Sequence, residues 1–179
     1  MSTTDAPQRQ PADLLRTLTL RETATHDDIA RVREIVSSTG FFYDHEIDVA
    51  CELVEETLAK GPVEGYRFLF ADAPDAHGVP RTIGYTSYGQ TPCTEGTFDL
   101  YWIAVHNDFR AHGLGRFLQR ETESRIRALG GRRLFAETSG RDLYAPTRKF
   151  YLSLGYAEEA RLADFYAPGD DKVIYGMRL

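Results

Sequence analysis

Long apolar runs are missing from this sequence, and none approaches the ~20 residues a helix needs to cross a bilayer. A helical membrane protein is therefore excluded. Residues 1–10 are polar and carry no signal-peptide stretch, so the expected location is the cytoplasm. Cysteine is scarce. Cys51 and Cys93 are the only two, and they form neither a metal-ligand spacing nor a disulfide framework. Reduced thiols and no metal are expected. Basic tracts are also absent: Lys and Arg total 21 against 27 Asp and Glu, a net charge of −6. Nucleic acid is thus excluded as the main partner, because a phosphate backbone needs a basic footprint.

What is present suits one folded unit. The chain has 179 residues, 42% hydrophobic and 27% charged, an ordinary balance for a globular domain. Residues 1–14 read as a disordered tail rich in Thr, Gln and Pro. Residues 15–179 read as one domain without linker or repeat.

Residues 17–21 alternate as a first strand. Thr25 is placed to cap a helix on which Ile29, Val32, Ile35 and Val36 share a face, ending at Gly40. Asp44 is placed to cap a second helix, with Ile47, Cys51, Val54 and Leu58 at helical spacing and Gly61 as its stop. Residues 66–71 and 82–88 form a hairpin around Pro74, Gly78 and Pro80. Residues 97–105 make a stronger strand, with Asp99, Tyr101, Ile103 and Val105 expected on one face. An amphipathic helix follows, closed by Gly130 and Gly131. Then come a strand at 133–138, a helix at 143–154 with Pro146 in its first turn, and strands at 156–166 and 172–179. The order βααβββαβαββ predicts an α/β (α+β) fold: one mixed sheet with helices on both faces.

The most informative stretch is Asp108-Phe-Arg-Ala-His-Gly-Leu-Gly-Arg116, between the strongest strand and the amphipathic helix. Gly113 and Gly115 allow a tight turn and close approach to a ligand. The first N–H groups of a helix lack internal partners and can face an anion. Arg110 and Arg116 add positive charge, His112 can add more, and no acid lies between Arg110 and Arg120. A P-loop needs Gly-Lys-Ser or Gly-Lys-Thr, which is absent. A dinucleotide turn would need Gly or Ala at Leu118, although Glu137 falls at about the right distance for a ribose contact. The single β-α-β unit argues against that reading.

Arg110-Ala-His-Gly113-Leu-Gly115 resembles the acyl-CoA signature of the Gcn5-related N-acetyltransferases (GNAT). Phe150-Tyr151-Leu-Ser-Leu-Gly155-Tyr156 resembles that family's second signature. The resemblance covers residues 15–179 and implies a mostly antiparallel, twisted sheet of about seven strands, splayed between the fourth and fifth. It implies acetyl-CoA as cosubstrate. The N–H groups of Ala111, His112, Gly113, Leu114, Gly115 and Arg116, with Arg110 beside them, would hold the pyrophosphate. Ile103, Ala104 and Val105 would pair with pantetheine, the Val105 N–H also facing the developing oxyanion. Tyr151 is implied as the acid for the departing thiolate. The base is left open between Asp99, Glu137 and relayed water. Tyr144 and Thr147 stand where many relatives carry Asn and Ala. The acceptor pocket would involve residues 41–46, 85–88 and 165–170, with Phe42, Tyr43, Tyr85 and Tyr166 as contacts. The implied reaction is acetyl transfer to a primary amine, from a small molecule or a peptide. The alternative is a non-catalytic acyl-CoA sensor of the same fold. An edge strand at 172–179 could pair two copies into a homodimer.

Overall fold

The structure is a computed structural model and describes residues 11–179. Its centre is one seven-stranded sheet, in the order β1-β2-β3-β4-β5-β7-β6. The strands are β1 (Thr19–Arg21), β2 (Arg67–Pro74), β3 (Pro80–Gln90), β4 (Thr97–Val105), β5 (Arg133–Ser139), β6 (Ala157–Ala167) and β7 (Asp170–Arg178). All neighbours run antiparallel except β4 and β5, which are parallel. Such a pair needs a crossover, and α4 (Leu114–Ala128) supplies it. Helices α1 (Pro11–Thr17), α2 (Asp27–Ser38), α3 (Asp44–Glu64) and α5 (Ala145–Ser153) complete the fold.

Two cores flank the sheet. Val32, Ile35 and Val36 of α2 meet Cys51 and Val54 of α3 over Phe68, Phe70 and Tyr85. On the opposite face Leu114, Leu118 and Ile126 of α4 join Tyr151 and Leu154 over Leu69, Leu100 and Leu134. Each such aliphatic side chain contributes about 1.5–3 kcal/mol by leaving water. The spacing expected for these helices is therefore the spacing used.

Four expectations need correction. The predicted tail falls mostly outside the described residues, but residues 11–14 open α1, and Leu14 is buried against the α4 side of the sheet. Thr25 does not cap α2. Its N–H instead donates to Asp28, 2.7 Å away, and Asp28 also takes a bidentate pair of bonds from Arg21. At α3 the cap is Tyr43 rather than Asp44, with the Tyr43 N–H donating to Glu46 at 2.8 Å. Finally, the 172–179 segment is no edge. As β7 it pairs with β5 and β6 on its two sides, and the exposed edge is β6. The free cysteines divide, Cys51 buried and Cys93 exposed.

Candidate active site

Strands β4 and β5 pair only where Thr97–Leu100 faces Arg133–Ala136. Beyond Leu100 they part. The His106 N–H donates to Ile83 of β3. Since successive residues of a strand turn their N–H and C=O groups to opposite sides, Ile103 and Val105 direct theirs into the gap. Among the described residues no strand takes them up there.

The β3–β4 register slips at Ser87/Tyr88, leaving Tyr101 as an extra residue on β4. Such a bulge reverses the alternation beyond it. Phe98 and Leu100 face the α4 side, yet so do Ile103 and Val105, while Trp102 and Ala104 turn to α2 and α3. Asp99 is consequently on the opposite face from Val105, contrary to the expected shared face. It lies outside the cleft and accepts a hydrogen bond from the Thr91 hydroxyl at 2.6 Å.

After Val105 a 3-10 turn at Asn107–Phe109 leads into the glycine loop. Ala111 has φ 63° and Gly113 φ 78°, both left-handed. The second favours glycine. The Phe117 N–H is the first to find a partner, the Gly113 carbonyl at 3.0 Å. Among the described residues the N–H groups of Leu114, Gly115 and Arg116 have none. His112 Nδ1 meets the Arg110 carbonyl at 2.7 Å and braces the turn. Gly115 sits against Val105 and Phe150, which joins the turn to the splayed strand. The cradle of free N–H groups fits a diphosphate. The two arginines are less direct than expected. Arg110 lies over the Phe41 ring at 5.0 Å, and Arg116 bonds to Ser153 of α5.

A cleft of about 620 Å³ opens along the splay. Ile103, Ala104, Val105, Arg110, Phe42, Tyr43, Glu137, Tyr151 and Tyr166 all line it. Tyr151 is 4% exposed. Its phenol is pushed well up by burial, so it stays protonated at neutral pH. Among the described residues its hydroxyl has no hydrogen-bond partner. Glu137 pairs with Lys172 of β7. The Tyr166 phenol is pushed up to about 12 by burial first, then by Glu137, Asp170, Tyr144 and Glu46.

Tyr85 is the expected acceptor contact that the fold places elsewhere. It is wholly buried between Phe68 and Phe70, with ring centroids 6.1 and 6.3 Å away. Its strand position pairs with Ala104, so it faces the α2–α3 core. Tyr144 does add bulk: it meets Phe41 and Phe42 at 6.0 and 6.4 Å, and its hydroxyl donates to the Phe41 carbonyl. Arg148 is held within the chain. It bonds to the carbonyls of Ser139 and Arg141.

Several cleft residues carry no motif. Trp102 is one, and Arg141 is another. The Arg141 guanidinium approaches Asp170 at 3.1 Å and the Tyr43 hydroxyl at 3.2 Å. Glu46 and Asp170 were legible only as members of acceptor segments.

Comparison with known proteins agrees with this geometry. The model of the acetyltransferase (GNAT) family matches residues 34–156. A Desulfovibrio desulfuricans protein assigned to GNAT acetyltransferases is 49% identical, covers 90% of this chain and 98% of its own, and superposes with TM-score 0.84. The Salmonella typhimurium protein yncA, assigned as an acetyltransferase and solved with its cofactor acetyl-CoA, is 21% identical, with 90% and 94% coverage and TM-score 0.65. The Escherichia coli ribosomal-protein-S18-alanine N-acetyltransferase is 19% identical, with 90% and 93% coverage and TM-score 0.66. A search of curated proteins finds no match. The chain belongs to the GNAT acetyltransferase family. Among the described residues no helix is long and apolar enough to cross a membrane, and no side-chain cluster could hold a metal ion.

Proposed function

We propose that this protein moves the acetyl group of acetyl-CoA to a primary amine by direct attack within the β4–β5 cleft. One observation carries the reading: a splayed strand with free backbone groups and a buried tyrosine line one cleft, and a helix N-terminus with unpaired N–H donors adjoins the end of that strand. The relative solved with acetyl-CoA supports the choice of cosubstrate.

Acetyl-CoA would supply an activated acyl group and a thiol leaving group. The Leu114, Gly115 and Arg116 amides would hold its diphosphate. Ile103 and Val105 would align its pantetheine arm as an additional strand would be aligned. The Val105 N–H would meet negative charge developing on the carbonyl oxygen. An alkylamine with pKa ~10.4 arrives protonated and must lose a proton before attack. Glu137 is the carboxylate of the original pair that lines the cleft, and it serves directly or through water. Asp99 is set aside as base because its carboxylate is held by Thr91 outside the cleft.

Tyr151 acts on the sulfur. A simple thiol has pKa ~8.5 and an ordinary phenol ~10. Burial raises Tyr151 further, so complete transfer of its proton to a free thiolate is uphill. Its hydroxyl therefore donates a hydrogen bond as the C–S bond breaks, and the net proton comes from the amine. The test is thiol release from acetyl-CoA across a panel of primary amines. Amine-dependent release is expected. Coenzyme A binding without release for any amine would favour a sensor instead.

A further inference from the structure

In the turn that joins the splayed strand to the glycine loop, every backbone donor has a partner. The Asn107 N–H donates to the Ser38 hydroxyl of α2 at 3.0 Å, and the Asp108 N–H donates to Nδ1 of the His106 ring at 3.3 Å. The N–H groups of Phe109 and Arg110 donate to the carbonyls of His106 and Asn107 at 2.9 and 3.2 Å. From Ala111 to Arg116 the N–H groups have no partner among the described residues. The boundary between paired backbone and open donors thus falls at Arg110.

His106 holds the near side of that boundary twice. Its N–H donates to Ile83 of β3 at 2.8 Å, which fixes the phase in which the neighbouring Val105 N–H enters the gap. Its ring caps the turn. Without the ring the Asp108 N–H would lose its protein acceptor, and the turn would be free to leave its shape. A loop that is correctly shaped only part of the time binds with its affinity reduced by that fraction.

Ser, Thr, Asn and Asp are the ordinary caps. Histidine differs from them, because an imidazole commonly changes charge between about pH 5 and 8. Nδ1 can accept the Asp108 N–H only while it carries no proton, so the capping ring is neutral and its proton sits on Nε2. A ring protonated on both nitrogens must donate instead. Two carboxylates stand near it: that of Asp108 on the same turn, 3.7 Å from Nδ1, and that of Glu34 of α2, 3.8 Å from Nε2. Glu34 is shared with Arg31 of α2 and Arg81 of β3. The same nitrogen cannot accept from the Asp108 N–H and donate to the Asp108 carboxylate, so the turn has two alternative bonding patterns.

We infer that His106 is a positioning residue for acetyl-CoA: its neutral ring caps the turn that aims the free N–H groups of the glycine loop, and protonation releases the cap. The inference rests on the acetyl-CoA site proposed above. Affinity for the cosubstrate should therefore fall on acidification through this one side chain.

Calorimetric titration with coenzyme A at about pH 8 and pH 6 tests this on the wild type, His106→Asn and His106→Ala, with melting scans to confirm folding. Asparagine keeps an oxygen to accept the Asp108 N–H and does not titrate. At the higher pH His106→Asn is expected to bind as the wild type does, and His106→Ala roughly fivefold more weakly, the size of a lost cap. At the lower pH the wild type is expected to lose several-fold more affinity than His106→Asn, any titration of coenzyme A itself being common to both. In assays of acetyl transfer the KM for acetyl-CoA should move more than kcat. Unchanged binding by His106→Ala, or an equal acid loss in the wild type and His106→Asn, would overturn the inference and leave the acetyl-CoA site standing. No binding of coenzyme A by the wild type would overturn both.

Discussion

Single residues decide whether chemistry follows binding. Tyr151→Phe keeps the packing of the ring against Tyr156 and Tyr175 but removes the hydroxyl proposed to donate to the sulfur. We expect kcat to fall by about 10²-fold, the lower range for acid–base assistance, with coenzyme A affinity nearly unchanged by calorimetry. Asp99→Asn should alter kcat by less than about twofold, since surface changes away from a site are near neutral. A large loss there would return Asp99 to the mechanism. The two residues differ in how they could be read. Tyr151 sits inside a motif on a helix, and helical spacing transmits direction reliably. Asp99 depended on strand alternation, which one extra residue at Tyr101 reverses. Tyr85 was misplaced for a related reason: an aromatic in a strand can wall a pocket or plug a core, and only the neighbouring sheet layer decides.

At the scale of elements, two junctions carry strain or charge. Gly113 turns the chain into α4 at φ 78°, and its nearest neighbour for an added Cβ is Leu15 at 4.0 Å. Space is therefore free, and Gly113→Ala costs about 1–2 kcal/mol through backbone conformation alone. Lower melting temperature with weaker coenzyme A binding is the expected pair of readings. The second junction ties β1, α2, β2 and β3 through Arg21, Asp28, Asp72 and Thr82. Burial pushes the Asp28 carboxyl up, but hydrogen bonds from Arg21 and Thr25 outweigh it and hold the carboxyl below its ordinary value. A carboxyl held low in the folded state stabilises at pH above its unfolded value, ~3.9. That contribution is lost as pH falls through ~3.9 towards the folded value. Asp28→Asn should cost roughly 2–3 kcal/mol at pH 7, less than a fully isolated buried pair because Arg21 keeps Asp72. It should also flatten the acid limb of a stability–pH curve. Helices α2 to α5 and the order of elements along the chain were legible from apolar spacing and glycine stops, whereas α1 was not, because residues 11–17 were read as tail and strand. The caps were not, because Thr25 and Asp44 fit a capping position by type while Asp28 and Glu46 fill the role by reaching back along the chain.

For the molecule as a whole, the sheet is two blades held together across β4 and β5 by four register pairs. A ligand laid into the splay bridges them. At a hundred times its dissociation constant, coenzyme A should add about 2.7 kcal/mol of stability, seen as a rise of roughly 5–10 °C in a melting scan of a chain this size. No rise at saturation would mean that the splay does not take the cosubstrate. Self-association, where it occurs, should use β6, whose 11 residues are almost all exposed, and not the interior β7. The bulge at Tyr101 has a final consequence. It acts as a half-step in phase, after which everything on β4 is presented in mirror order to the two helical layers. Were Tyr101 deleted and the β3 pairing kept, Leu100 and Trp102 would become successive residues on opposite faces, and Val105 would keep its side. The amide aimed into the gap would still face it, so the extra residue hides the direction of the strand from anyone counting alternate positions while leaving the backbone donors of the cleft in place.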